Sequence, residues 1–497
     1  MNKKQIVVAG GGTAGWMAAL WAKHEYPNAD VTVVASNDIG ILGAGEGTTP
    51  HFVEFLAKVN IPIERLIKKC KATFKVGISF DDWNGDGEAY FHPFSQQPGL
   101  DLYDDNEGAM VNNLLHSEQK LTTACFGDML CKTKKAPYRF RNRVLANSLE
   151  NKMLSFELFS VVGVHFDARL LADELKIIGV ERNIKHVDDL IVDAVQDESG
   201  CIKSLVLQSQ QLDVDFLFDA TGFARKFIGK LFGAEWESYA SYLPMKEAVP
   251  FFVPHDDDVE PMTLAKAMRF GWMWRIPVRG RFGCGYVYDS DYINADQAVQ
   301  EIENTLGFKV ESPRKFTFNP GSYKTPLVKN CLAVGLSQGF VEPLEATSLW
   351  VTYMTLLDMF SMGLFAERSE IVAKAFNEKC NDRNTEVAHF LHAHYLSSRN
   401  DSTFWREFKT KNKSPEPVKN RLAELAFNSN FNLSEPKFNR MFGNKSWIVV
   451  SNGVGLPVGY DADKRLPAFF AKAYVNNARQ IAMSCIPHKH VIDYLSL

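Results

Sequence analysis

The chain opens on short apolar runs punctuated by glycine. Gln5 to Ala9 is short enough for a buried strand, Gly10 to Gly15 reads as a turn, and Trp16 to Glu25 carries the pattern of a helix. Val31 to Ala35 is a second apolar run that completes a β-α-β unit. Between roughly Asp81 and Leu154 the chain is polar, rich in Asp, Asn and Lys, and reads as helical. Asp167 is placed to cap a helix opened by His165-Phe166-Asp167-Ala168-Arg169-Leu170-Leu171-Ala172. Strands are expected again over Lys185 to Val195, Ile202 to Gln208 and Val214 to Ala220, and a further sheet over Ala248 to Val253, Trp272 to Val278 and Gly283 to Tyr288. Beyond Glu367 the pattern turns helical, with a solvated loop at Lys409 to Pro415 and a helical cap in the last hundred residues.

Two stretches stand out from this pattern. Trp272-Met273-Trp274-Arg275-Ile276-Pro277 fills W-x-W-x-I-P. Alternation places both indoles on one face of a strand, and Pro277, with no N–H to donate, is expected to end the ladder. Two adjacent indoles make a rigid apolar wall, which taken alone is more often core packing than a functional surface. The longest apolar stretch, Leu349 to Phe365, is interrupted by Thr352, Thr355, Asp358 and Ser361, so it reads as a buried helix and not a membrane span.

A length of 497 residues suggests two or three domains, or one large domain with a cap. Hydrophobic residues at 46% and charged residues at 23% are ordinary for a soluble globular protein. The net charge of −4 argues against nucleic acid or an anionic membrane as a partner. The 36 Phe and 9 Trp suit a protein that encloses a flat ligand. The eight cysteines are scattered without C-x-x-C or zinc spacing, as free thiols in a reducing cytoplasm would be. No metal site is expected, because His392 and His394 alternate without a third ligand. The apolar run near Met1 breaks at Gly10, too early for a secretory signal, and a cytoplasmic location is expected.

Gly10-Gly11-Gly12-Thr13-Ala14-Gly15 satisfies G-x-G-x-x-G between a predicted strand and a predicted helix. Gly10 permits the tight turn, Gly12 lets the backbone approach a pyrophosphate, and Gly15 lets the helix lie on the strand. The helix start offers N–H groups and a partial positive charge to the phosphates. The acid that usually closes the second strand and holds the ribose is replaced by Ala35, and the nearest acid is Asp38. No second G-x-G-x-x-G lies between a strand and a helix, since Gly280 to Gly285 reads as a hairpin turn, so a built-in NAD(P)H site is not expected.

With that loop, the W-x-W-x-I-P strand makes the chain resemble the flavin-dependent halogenases of the tryptophan-halogenase type. Further motifs carry the resemblance: Gly43-Ala44-Gly45-Glu46-Gly47-Thr48-Thr49-Pro50 is similar to the flavin-bordering G-x-G-E-x-T-x-P, and Phe216 to Gly222 to the strand-D-x-T-G element of the FAD fold. Ala72 to Ile78 resembles the family's aromatic-lysine strand, and Gly339 to Ser348 its F-x-E-P-L-E-S-x-G. Phe91-His92-Pro93-Phe94 resembles its His-x-Phe, and the run from Ala393-His394-Tyr395 to Phe404-Trp405 a signature read as structural packing. The resemblance spans residues 5 to about 405.

It implies an α/β fold: a Rossmann-like FAD-binding module of the flavin monooxygenase type with a mixed sheet (1–80 and 155–365), and a mostly helical substrate-binding module (81–154 and 366–497). It implies FAD, used as FADH2 from a separate reductase, with O2 and a halide ion, and hypohalous acid as the oxidant. The FAD would be held by Gly10, Gly12, Thr13, Ala14, Gly15, Ala44, Gly45, Glu46, Asp219 and Gly335. Lys75 and Glu345 would be catalytic, Lys75 as a chloramine or as a donor to hypohalous acid. Thr347 and Ser348 would hold the halide on backbone N–H groups, His92, Phe94 and Trp447 would hold the arene, and Trp272 and Trp274 would partition it from the flavin. Here Ala346 replaces the family's serine and Ser348 its glycine, changes that keep the backbone donors and leave the halide preference open, a larger ion such as bromide among the alternatives. Asn444-Lys445-Ser446-Trp447 stands where tryptophan-specific members carry a Tyr-Tyr pair, so an indole or phenol without the amino-acid group is expected. A homodimer is left open. The alternatives are a flavin monooxygenase that transfers oxygen to the arene and a non-catalytic flavin or aromatic-ligand binding protein.

Overall fold

The computed structural model describes residues 3–37, 45–94, 125–140, 156–158, 162–312, 314–365, 369–411, 413–428, 441–459 and 468–497. They divide into two compact units, each assembled from three stretches of chain. Met1–Lys71, Phe166–Ala240 and Phe318–Ala388 form the first, and Ala72–His165, Ser241–Thr317 and His389–Leu497 the second. The stretch 241–317, expected with the nucleotide-binding module, therefore packs with the second unit.

The first unit is organised by a six-stranded sheet ordered Lys185–Val187, Asp30–Val34, Gln5–Ala9, Phe216–Asp219, Cys331–Ala333 and Leu327–Val328. All neighbours are parallel except the last pair. The central strands are apolar on both faces because helices and loops cover both sides, as parallel sheets require. The helix after the glycine turn runs Thr13–Glu25, three residues longer at its start than Trp16, with Trp16 and Trp21 buried. Asp167 caps the Ala168–Glu181 helix by accepting from the N–H groups of Arg169 and Leu170, as its sequence context predicts. The strand expected over Lys185 to Val195 divides in two. Asp188 accepts from Asn37 N–H, and Asp189 accepts from the N–H groups of Leu190 and Ser209. Ile191–Gln196 then pairs antiparallel with Ile202–Leu207 in a separate three-stranded sheet.

The second unit is built on a seven-stranded sheet ordered Phe316–Thr317, Glu247–Pro254, Arg281–Tyr288, Gly271–Val278, Thr263–Met268, Gly77–Asp81 and Ala89–Pro93. Its neighbours are antiparallel except Thr263–Met268 with Gly77–Asp81. The indole Nε1 groups of Trp83 and Trp405 donate to the carbonyls of Ala265 and Met268, which ties flanking elements to the sheet. The polar stretch from 81 to 154 is not simply helical where it is described. It holds the strand Ala89–Pro93, the helix Phe126–Lys132 and the strand Tyr138–Phe140. Among the described residues, five helices from Thr403–Lys411 to His488–Leu495 make up the C-terminal part, and the first continues through Lys411, into the stretch expected as a loop.

Trp272 and Trp274 lie side by side, ring centroids 6.2 Å apart, both buried. Gly285 is what admits the second indole: a Cβ there would stand 2.1 Å from the Trp274 ring. Pro277 does not end the strand. Its residue stays paired with Phe282, and the ladder runs on to Val278 and Arg281 before the turn at Gly280. Pairing with Thr263–Met268 stops at Arg275, so the missing N–H falls where that neighbour no longer needs a donor. Among the described residues no helix is long and apolar enough to cross a membrane.

Gly285→Val should displace a rigid buried indole and lower stability by about 1–3 kcal/mol, as overpacking does. A urea melt followed by tryptophan fluorescence measures it. An unchanged midpoint would show that the indole does not depend on residue 285.

Candidate active site

In the first unit the chain crosses itself three times at the carboxyl ends of the parallel strands. Gly10 adopts φ +117, and a Cβ there would meet Ala220 O at 2.1 Å. A Cβ on Gly15 would meet Gly10 O at 2.1 Å, while one on Gly12 would meet nothing within 4 Å. The turn is thus closed on the sheet side and open at Gly12, where the Thr13–Glu25 helix begins without a side-chain cap. Gly335, at φ +61, would press a Cβ to within 2.5 Å of the Ala14 Cβ. Gly10, Ala14, Gly15, Asp219 and Gly335 therefore meet in one crevice, and uncapped helical N–H groups beside an open glycine fit a dinucleotide pyrophosphate. Asp219 contributes by shaping that crevice. Its Oδ1 accepts from Thr221 N and Oγ1, and its Oδ2 from Phe227 N and Ile228 N. Glu46 is partly buried, and burial pushes its carboxyl up to about 7. Ala44 and Asp38 lie outside the described residues.

Glu345 ends a short 3-10 turn, Pro343–Glu345, and is fully buried. Ala346 follows at φ 56, a left-handed conformation that a residue with a Cβ rarely adopts. That reversal delivers Thr347 and Ser348 to the start of the Ser348–Ser361 helix, which has no side-chain cap and no acid in its first turn. Thr347 and Ser348 line a small cavity together with Gly335, Tyr239 and Asn384. Arg225 holds a second left-handed conformation at φ 47, its guanidinium stacked 3.6 Å over the Trp236 ring.

In the second unit Lys75 is completely buried on the strand Thr73–Lys75, which pairs with Gly163–Phe166. Gly163 stands opposite Lys75, so no side chain competes for the space. Its Nζ lies 4.8 Å from the Phe94 ring centroid, which brings two expected site residues together. A buried relay stands behind the lysine. Thr73 Oγ1 donates to Pro277 O at 2.6 Å, so it accepts from His165 Nδ1 at 3.1 Å, and His165 Nε2 accepts from Thr263 Oγ1 at 3.0 Å. This fixes one neutral tautomer. Burial first, then the charge of Lys75, holds the His165 pKa well below its ordinary value of 6.5. Phe74 N–H donates to His488 Nε2, whose ring is held neutral by burial with a pKa of about 4. The strand of Lys75 is therefore tied to the strand of the paired indoles by a hydroxyl.

His92 and Trp447 come together through two residues that the sequence did not single out. Phe390 stacks on Phe442 at 3.8 Å, with His92 5.8 Å and Trp447 5.3 Å from Phe390. This aromatic group suits a flat ligand. The isolated Phe442 offers no sequence signal, and His165 reads in sequence only as part of a helix opening. Among the described residues no group of three His, Cys, Asp or Glu stands close enough to hold a metal ion.

Known proteins share both sequence and fold with this chain. A family model described as Tryptophan halogenase matches residues 5–466. Tryptophan 7-halogenase RebH of Lentzea aerocolonigenes is 30% identical over 480 residues, which cover 91% of this chain and 89% of that protein. Tryptophan 6-halogenase SttH of Streptomyces toxytricini has a solved structure that superposes with a TM-score of 0.90 at 26% identity, covering 100% of both chains. Xcc4156, a flavin-dependent halogenase from Xanthomonas campestris, superposes with a TM-score of 0.88 at 25% identity, covering 99% of this chain and 98% of that one.

The neutral histidines carry a pH signature. His488 and His392 are both held near 4 by burial, below the value near 6.5 they regain on unfolding. Below about pH 6.5 the unfolded chain gains protons that the folded chain refuses, so stability is full above that pH and is lost as pH falls toward 4. Each accounts for a loss of about 3 kcal/mol by the acid limit. Denaturant melts at about pH 7, 6 and 5 should show a progressive loss. Equal midpoints would contradict the neutral imidazoles.

Proposed function

The chain belongs to the tryptophan halogenase family and is a flavin-dependent halogenase of an aromatic substrate, and we propose that its substrate is a diffusible indole or phenol without an amino-acid head group. When bound, reduced FAD would supply the activation of O2, whose oxidising equivalents would convert halide to hypohalous acid. Everything else falls to this chain's own side chains. The Gly10–Gly15 turn and the start of the Thr13–Glu25 helix hold the pyrophosphate, with Glu46, Asp219 and Gly335 completing the cofactor crevice. The N–H groups at Thr347 and Ser348 hold the halide.

Lys75 positions the oxidant against the ring. The observation that carries this is its complete burial with Nζ against Phe94, because a lysine kept from water and facing an aromatic ring is spent on something other than solubility. Glu345 polarises the oxidant or accepts the proton that leaves the ring as halogen enters. His92, Phe94 and Trp447 hold the arene, with Phe390 and Phe442 completing the aromatic group. Trp272 and Trp274 form a wall that passes a small oxidant and stops an arene. The first compact unit serves the cofactor and the second serves the arene. Reduced flavin comes from a separate reductase.

Two experiments test this reading. A panel of indoles and phenols, given a generic flavin reductase and chloride, bromide or iodide in parallel, should yield products with halogen isotope patterns on rings lacking the amino-acid group. Turnover of free tryptophan alone would overturn the substrate assignment. Lys75→Ala should keep FAD binding and lose about a hundredfold or more of halogenation. Full activity would remove Lys75 from the mechanism.

A further inference from the structure

The cavity beside Thr347 and Ser348 has a third wall that neither the sequence motif nor the cofactor crevice explains. Asn384 lines it from the Glu370–Tyr395 helix, one turn before Val387, which lines the same cavity. Its side chain is 6% exposed, and its Nδ2 has no hydrogen-bond partner among the described residues. The Thr347 hydroxyl, fully buried on another wall, likewise has none. A buried amide N–H left without an acceptor keeps its full desolvation cost. Two such donors on residues that line one cavity, at an uncapped helix start, form an arrangement that an acceptor from outside the fold would complete.

The helix carrying Asn384 is not free to turn it elsewhere. Arg383, the preceding residue, is buried and paired with Asp358, and its Nη1 lies 3.3 Å from Thr355 Oγ1. Thr355 donates on to Gln338 Oε1 at 3.1 Å, and Lys379 adds a second cation to Asp358 at 2.7 Å. This network clamps the Glu370–Tyr395 helix to the Ser348–Ser361 helix within the first unit and sets the rotation that places residue 384 on the cavity wall. Tyr239 and Ser322, also on the wall, satisfy each other at 2.8 Å. They leave the open hydrogen-bonding capacity with Asn384 and Thr347.

We infer that Asn384 is a halide-selecting residue, whose side-chain amide donates to the anion held at the start of the Ser348–Ser361 helix and, with the Thr347 hydroxyl, sets the preference among halides. This rests on the halogenase reading and deepens it. Helical N–H groups approach an anion from one side. A side-chain donor on a clamped opposing helix closes the shell and fixes its radius, so removing it should weaken a small ion and a large ion unequally. Ser348, which narrows this site relative to a glycine, makes the opposing donor the natural determinant of which ion fits.

The test uses halide binding to the flavin-free protein, read by line broadening of bromide and chloride NMR signals, beside the halide KM and kcat of the holoenzyme. Asn384→Asp, isosteric but carrying an acceptor in place of the donor, should raise the bromide KM about tenfold or more with little change in kcat at saturating halide. Asn384→Ala should shift the bromide-to-chloride ratio in both measurements. Thr347→Val probes the opposing donor with the same readouts should either Asn384 variant fail to fold. Broadening and halide KM equal to wild type in these variants would overturn the inference. So would a loss of FAD affinity with halide binding intact, which would assign the amide to the flavin. Wild-type protein that binds halide without flavin yet halogenates no arene would overturn the function and leave the halide site standing.

Discussion

Asp219 carries a carboxylate at zero exposure, and the first unit is arranged around keeping it supplied with donors. A buried charge without partners is prohibitively costly, whereas one that accepts four hydrogen bonds holds together whatever supplies them. Here the donors are Thr221 through both N–H and hydroxyl and the N–H groups of Phe227 and Ile228, so the chain after the strand must curl back over it. That curl includes Arg225 in a left-handed conformation, a local strain offset by the satisfied carboxylate. It also leaves Ala220 O where only a glycine can approach, at Gly10. The Asp219 carbonyl accepts from Val334 N–H, which brings Gly335 against Ala14. One carboxylate thus sets three chain crossings, and the crevice they enclose fits a dinucleotide.

The second unit solves a different problem, the burial of a lysine. Lys75 is sealed from water, and His165 beside it is kept neutral both by that dryness and by the lysine's charge. The relay from Thr263 through His165 and Thr73 to the Pro277 carbonyl then has a single direction of donation, since each hydroxyl proton is committed. A relay of fixed polarity is stiff. It couples the strand of Lys75 to the strand of Trp272 and Trp274, so the position of the lysine and the orientation of the indole wall are set together.

Much of this was legible in the chain, and what was not follows a physical rule. The β-α-β unit, the Asp167 cap, the Trp272–Val278 strand and the buried helix near 350 are written in local periodicity and capping chemistry, which a sequence displays directly. Lys75 and Glu345 could be singled out because each lies in a run that resembles a family motif. His488 could not, because its role is to accept from Phe74 N–H, 414 residues away in sequence. Phe442 and Asn384 share that fate: each matters through a neighbour supplied by a distant element. Pro277 is instructive in the other direction. The expectation that it ends the ladder treats a strand as having one neighbour, and the strand has two, of which only one stops there.

The departures at Ala346 and Ser348 change side chains while the chemistry they frame is carried by backbone. Ala346 sits at φ 56, where a residue with a Cβ is held against a cost of about 1–2 kcal/mol. A turn that is kept left-handed at that cost is one whose shape matters. It is this reversal that ends the Pro343–Glu345 turn and starts the Ser348–Ser361 helix at once, so that a buried carboxylate and a set of uncapped N–H groups lie within three residues of each other without opposing charges collapsing together. Because the halide would be held by N–H groups, losing a hydroxyl at 346 leaves them in place. The side chain gained at 348 narrows the volume before them. Selectivity is therefore the property that these substitutions can alter, with the capacity to hold an anion preserved by the backbone.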